Sequence, residues 1–238
     1  MGHSAHDMVA GLGAVAGGSR PLAMLVVLGS LAIVPFVFLM LTSFVKVSVV
    51  LSILRSALGT GQIPPSQIVT GLSLLLTIFI MAPTGEAVVA AVEPIWSRGT
   101  DVDLSTPGGL AVVVEAASAA KVPVRGFLQK HARKGDAETF FRLAQRLRSG
   151  DPLALVHRDD VVVLAPAFVV SELRRAFEMG FLIFVPFLVL DLIVGSLIGG
   201  MGLQSLSPAV VALPLKLLLF VLADGWNLVL RGLVGSYV

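Results

Sequence analysis

The chain has 238 residues, 56% of them hydrophobic and only 13% charged, about half the charge of an ordinary soluble domain. That balance excludes a water-bathed globule around one core and indicates an integral membrane protein. The net charge of +2 arises from interleaved acids and bases with no aromatic-studded basic face, which argues against nucleic acid as a partner, and the lack of cysteine removes disulfides, thiol catalysis and thiolate metal sites.

Residues 1–20 are small and Gly/Ala-rich, and their weak apolar stretch lacks a basic start, so they read as a flexible, uncleaved leader. Residues 21–96 form a first apolar hairpin. Within it, 22–41 contain no charge, and twenty residues at about 1.5 Å each match the roughly 30 Å hydrocarbon core. The run TSFVKVSVVLSILRSALG predicts a second, more polar helix carrying Lys46 and Arg55, stopped by Gly59, Gly61, Pro64 and Pro65. Ser66 is the expected cap of a helix reaching Trp96, on which Glu86 and Glu93, seven apart, share a face.

Residues 97–160 hold 18 of the 32 charged side chains and form a polar helical insert. The pattern there predicts a break at TPGG (106–109), then two short amphipathic helices around Lys134 to Asp136. Phe127 and Leu128, then Phe140, Phe141, Leu143 and Leu147, lie on their apolar faces. The insert carries ten basic against eight acidic groups, but it is too long for the positive-inside rule to orient. Residues 161–238 form a second apolar hairpin. The expected fold class is therefore an all-α membrane protein with about four apolar elements in two hairpins.

Each apolar element contains a proline, Pro35, Pro83, Pro186 or Pro214, so kinked or broken helices are expected. Ionisable groups also recur inside the apolar blocks: Lys46; Glu172, Arg174, Arg175 and Glu178; Asp191, Lys216 and Asp224. Such groups avoid lipid, and two roles are open to them, ion pairing between helices or a place along a transport path. In SELRRAFE, Arg174 with Glu178 and Glu172 with Arg175 have the spacing to pair locally. Asp191, Lys216 and Asp224 lack that option and are candidates for contacts between helices or subunits. At the tip of the second hairpin, Gly199, Gly200, Met201, Gly202, Leu203, Gln204 and Ser205 fit either close helix packing or a deformable constriction around an axis.

Catalysis finds no support. His3, His6, His131 and His157 form no metal pair on a membrane helix, and phosphate-loop and serine-nucleophile motifs are absent. The chain is not expected to be an enzyme or to hold a cofactor or metal.

Three runs, FLMLTSFVKVSVVLSILRSALGTGQIPPSQIVTGLSLLLTIFIMAP, FVVSELRRAFEMGFLIFVPFLVLDLIVGSLIGGMG and SPAVVALPLKLLLFVLADGW, resemble the FliP/SctR family of the type III secretion export apparatus. The resemblance covers both apolar blocks. It implies a non-enzymatic core subunit of the export gate in the bacterial inner membrane. Five copies would assemble helically with SctS/FliQ-like and SctT/FliR-like subunits and other export components, and unfolded protein substrates would pass through. It further implies a conical assembly whose hairpins are raised toward the periplasm. Relatives carry a methionine-rich gasket at the second hairpin tip, which falls here on Met201, Gly202, Leu203, Gln204 and Ser205. The gasket role thus carries over by position to Met201 and Leu203, with only the first methionine retained. SELRRAFEMGF and the SP before the last element resemble the injectisome branch more than the flagellar one. The alternatives are a small secondary transporter or ion-conducting subunit, in which Asp191, Lys216 and Asp224 bind a solute or proton, and a purely structural membrane scaffold.

Overall fold

The computed structural model describes residues 29, 32, 35–59, 64–97, 107–148, 156–203 and 205–238. The expected leader, most of the 22–41 run and Gln204 lie outside the described residues. Seven helices of more than ten residues follow in order: α1 (Phe44–Ala57), α2 (Ser66–Trp96), α3 (Pro107–His131), α4 (Lys134–Leu147), α5 (Val161–Gly200), α6 (Pro208–Leu222) and α7 (Gly225–Gly235). Among the described residues there is no strand.

The centre of the molecule is α1 against α5. Val47, Val50, Leu51 and Leu54 of α1 are buried in one cluster with Ala176 and Phe187 of α5, and Val229 and Leu233 of α7 close it. Gly180 makes the approach possible, because a Cβ there would overlap the Ile53 side chain of α1. Between apolar helices in lipid, such close packing supplies the attraction that water would otherwise drive. α2 packs on α1 through Val69 and Leu72. α3 returns alongside α2, so that Ile80 and Met81 meet a second cluster of Phe127, Leu128, Leu164, Phe168 and Tyr237.

The prolines do not break these helices. Pro83 and Pro94 lie inside α2, Pro123 inside α3, Pro166 and Pro186 inside α5, and Pro214 inside α6. Each removes one donor from a long ladder whose other bonds continue. The last apolar element is interrupted elsewhere: Asp224 adopts the left-handed conformation (φ 49°), and α6 and α7 meet at 61°. Ser66 does not cap α2 either; Pro65 takes the N-cap position in extended backbone and Ser66 is the first helical residue. In the insert, Pro107 opens a helix instead of marking a break, in keeping with proline's preference for the first helical turn. That helix is 25 residues long, and the turn to α4 falls at Ala132 and Arg133. α4 buries none of its own residues, leaving Leu147 87% exposed.

Two helices, α2 with 31 residues and α5 with 40, are long and apolar enough to cross a membrane; the bent α6–α7 pair would make a third span. At about 1.5 Å per residue they are about 46 and 60 Å long, well beyond the roughly 30 Å hydrocarbon core. α5 resolves this in its own sequence. Its first half carries Glu172, Arg174, Arg175 and Glu178 beside the insert helices, while residues 179–200 contain the single charge Asp191.

Candidate functional site

The ionisable residues of the apolar blocks gather at two levels of the α1–α5 contact. At the upper level the side chains of Lys46 and Glu172 are 0% exposed, with Nζ 3.1 Å from Oε2. Lys46 sits in the first turn of α1, where the helix dipole opposes a cation, so the Glu172 carboxylate answers both the dipole and the loss of water. Glu172 Oε1 accepts from Arg175 Nη1 at 3.0 Å, and Oε2 accepts from the Tyr237 hydroxyl. The Lys46 ammonium also lies 3.5 Å from the centre of the Tyr237 ring, a cation–π contact. No acceptor stands in hydrogen-bonding geometry to Lys46 Nζ among the described residues; its partners are the ion pair and the ring.

Arg175 Nη1 further donates to the His131 carbonyl at 3.0 Å, which ties the end of α3 to the cluster. The His131 ring packs against Phe127 and Tyr237, with centroids 4.7 and 5.0 Å away. Next to it Ser171 Oγ accepts from Arg133 N at 2.9 Å and donates to Asp136 Oδ2 at 2.7 Å, pinning the α3–α4 turn onto α5. The local pairing expected within SELRRAFE holds for Glu172 with Arg175. It fails for the other pair: Arg174 reaches Asp136 at 3.7 Å and Glu178 reaches Arg133 at 3.8 Å. The packing of α4 and its N-terminal turn on this face of α5 offers those charges partners between elements that outcompete the in-helix spacing.

Burial holds the His131 imidazole pKa down to about 4; Glu172 opposes the shift, while Lys130, Lys46 and Arg175 add to it. The native state therefore keeps His131 neutral, whereas an unfolded histidine titrates near 6.5. Its contribution is complete above about pH 6.5 and is lost as the pH falls toward 4, because the unfolded chain then binds the extra proton. Thermal melts between pH 7.5 and 4.5 should show this loss at up to about 1.4 kcal/mol per pH unit. In His131→Gln that component of the slope should vanish; a slope identical to the parent's would refute the assignment.

At the lower level Lys216 Nζ, buried on α6, lies 2.7 Å from Asp191 Oδ2 of α5 and donates to the Ala57 carbonyl at 3.1 Å. The ammonium thus closes the C-terminal end of α1, where a cation is favoured, and joins three helices. Gly59 (φ 73°) leaves room for it, since a Cβ there would come within 3.2 Å of Nζ. Asp224, grouped with these residues from the sequence, stands apart. It is exposed at the start of α7 and accepts from Asn227 Nδ2 at 2.8 Å, a local bond available once the left-handed residue turns the chain.

The second hairpin ends beyond both levels. Gly199 and Gly200 are the last residues of α5, and Met201 caps it. Gly202 (φ 70°) then turns the chain so that its N–H reaches the Gly199 carbonyl and the Leu203 N–H reaches that of Ile198, a Schellman closure that favours glycine. Met201 is 62% exposed and Leu203 41%. The α5–α6 packing near the tip consists of Val194, Ile198 and Ala212 with Leu190 beside them. Gln204 lies outside the described residues, and Ser205 is exposed in the turn before α6.

Sequence reasoning missed Tyr237, His131, Ser171, Asp136 and Arg133 as members of the upper cluster. Tyr237 did carry a signal, being the sole tyrosine of the chain, with a hydroxyl that needs a partner wherever it is buried.

A family model described as the FliP family matches residues 27–233. A pathogenicity-related ORF2 protein of Xanthomonas campestris pv. glycines is 41% identical over 90% of this chain and 95% of its own length. The virulence protein YscR of Salmonella typhimurium is 41% identical over 91% of this chain and 97% of its own. A flagellar biosynthetic protein FliP of Pectobacterium carotovorum is likewise 41% identical over 90% of this chain and 77% of its own. Matched along nearly its whole length, with the buried ion pairs formed by the motifs that the match includes, the chain belongs to the FliP family.

Proposed function

We propose that the chain is a core subunit of the type III secretion export gate, forming with partner subunits the channel through which unfolded proteins cross the bacterial inner membrane. Family membership makes it a membrane component of the export apparatus that works with other subunits, and a structural gate protein instead of an enzyme. The observation that carries the channel reading is the shape of α5. At about 60 Å this helix is twice as long as the hydrocarbon core is thick, and its first half, outside the stretch that fits that core, leaves Val162, Val170 and Phe177 exposed. Apolar surface on so long a rod needs neighbouring protein to cover what lipid does not reach.

Within that reading, five copies combine with SctS/FliQ-like and SctT/FliR-like subunits, and the assembled hairpins are raised toward the periplasm. The tip, 199–205, lines the closed channel with Met201 and Leu203 foremost. SELRRAFEMGF favours the injectisome branch. The transporter alternative loses ground because Lys216 holds Asp191 and caps α1, while Asp224 faces outward. Co-expressing the chain with its candidate partners and imaging the purified particles should reveal several copies around a central channel closed at the 199–205 turn. A stable monomer lacking a channel would sink the proposal.

A further inference from the structure

The uncovered side of α2 runs its whole length. Ile68, Leu75, Val89 and Trp96, at multiples of seven residues, are each more than half exposed. A seven-residue repeat keeps one stripe in line along a helix. Gly71 and Gly85 lie beside it with open space where a Cβ would stand, so another helix can come close. Along this stripe Glu86 is exposed and has no ion-pair partner among the described residues. An unpaired carboxylate beside so much apolar surface is out of place against lipid and suits a cationic partner.

The same chain presents such cations at the same height. In the α2–α3 hairpin, Ile80 packs against the cluster that contains Phe127. Glu86 stands six residues beyond Ile80 on α2, and Lys121 six residues before Phe127 on α3, so both lie about 9 Å above that layer. Arg125 is one turn nearer to it. Lys121 and Arg125 are exposed and without ion-pair partners among the described residues, and they open onto a groove beside Val122 and the start of α5. The acids of that groove are engaged, Asp159 by Gln129 and Asp160 by the His157 N–H. Glu86 on α2 and the two cations on α3 are all exposed and form no ion pair with one another among the described residues. Each is thus left for a complementary copy in a head-to-tail contact that repeats around an axis.

We infer that adjacent copies of the chain dock head to tail, the α2 stripe around Glu86 of one copy seating against Lys121 and Arg125 of the next. This rests on the multi-copy reading above and names the faces that meet. The apolar stripe supplies contact area, and the charges set register.

The native chain has no cysteine, so a Glu86→Cys, Lys121→Cys double variant, co-expressed with the partner subunits in membranes, reports this contact directly. Oxidation should give a ladder extending past the dimer, and neither single variant should give one. Glu86→Lys should weaken assembly by about fivefold per contact, and combining it with Lys121→Glu should restore it. Glu86→Gln supplies a milder test in case the reversal misfolds, with a smaller loss expected. A multi-copy complex that forms normally but yields no 86–121 ladder would overturn the head-to-tail contact while leaving the export function standing. Particles containing one copy would overturn both, and a product that stops at the dimer would show a symmetric contact instead.

Discussion

Glu172→Gln is expected to be among the most destabilising single substitutions in the chain, costing about 3–5 kcal/mol. The carboxylate is fully buried and serves Lys46, Arg175 and Tyr237 together. Without its charge, Lys46 is left as a buried cation in the first turn of a helix, opposed by the dipole and denied water. Lys46→Met should cost less, because Glu172 keeps Arg175 and the tyrosine hydroxyl. The double variant should recover much of what Glu172→Gln alone loses, since the stranded ammonium is then gone. Denaturant or thermal midpoints of the detergent-solubilised protein would measure the cycle. Losses that simply add would mean that Lys46 and Glu172 are not coupled, contrary to their 3.1 Å contact.

The cluster shows how far the sequence could be followed. Lys46 and Glu172 were conspicuous because each is an ionisable residue in an apolar run, and the cost of placing charge in lipid requires such groups to be answered by protein. Their pairing was not visible, since it depends on how α1 lies against α5 over a separation of 126 positions. Local spacing, which the sequence does display, gave Glu172–Arg175 correctly and misassigned Arg174 and Glu178, because it contains no information about α4 docking on the same face. Lys216 and Asp191 lacked any local partner, and that lack pointed toward the cross-helix pair they form. Asp224 was grouped with them by the same reasoning, and among the described residues it forms no ion pair. Its backbone leaves the helix, and Asn227 becomes a neighbour that helical spacing alone did not suggest. Pro83, Pro186 and Pro214 lie inside unbroken helices, since a missing donor weakens only one rung, and the 61° turn between α6 and α7 falls where Asp224 leaves helical geometry.

Gly180→Ala should separate α1 from α5 and cost about 1–3 kcal/mol as an overpacking change. The added methyl would overlap Ile53 Cδ1, and the Ile53 Cγ2 and Cβ atoms would stand only 3.1 and 3.2 Å away, so a rotation of the side chain's end does not clear it. The position magnifies the effect. Ile53 lies seven residues beyond Lys46 and four before Ala57, so the collision falls between the Lys46–Glu172 pair above and the Lys216 clamp on the Ala57 carbonyl below. Any outward movement of α1 stretches both polar contacts, which are short-ranged and have little water to replace them. Pairing Gly180→Ala with Ile53→Ala should restore part of the stability, because the second change removes the colliding branch. Secretion by cells carrying the two single variants and the double would follow the same order as their midpoints if the α1–α5 contact must be intact for export. Full secretion by Gly180→Ala, with an unchanged midpoint, would show that the two helices can separate here without cost.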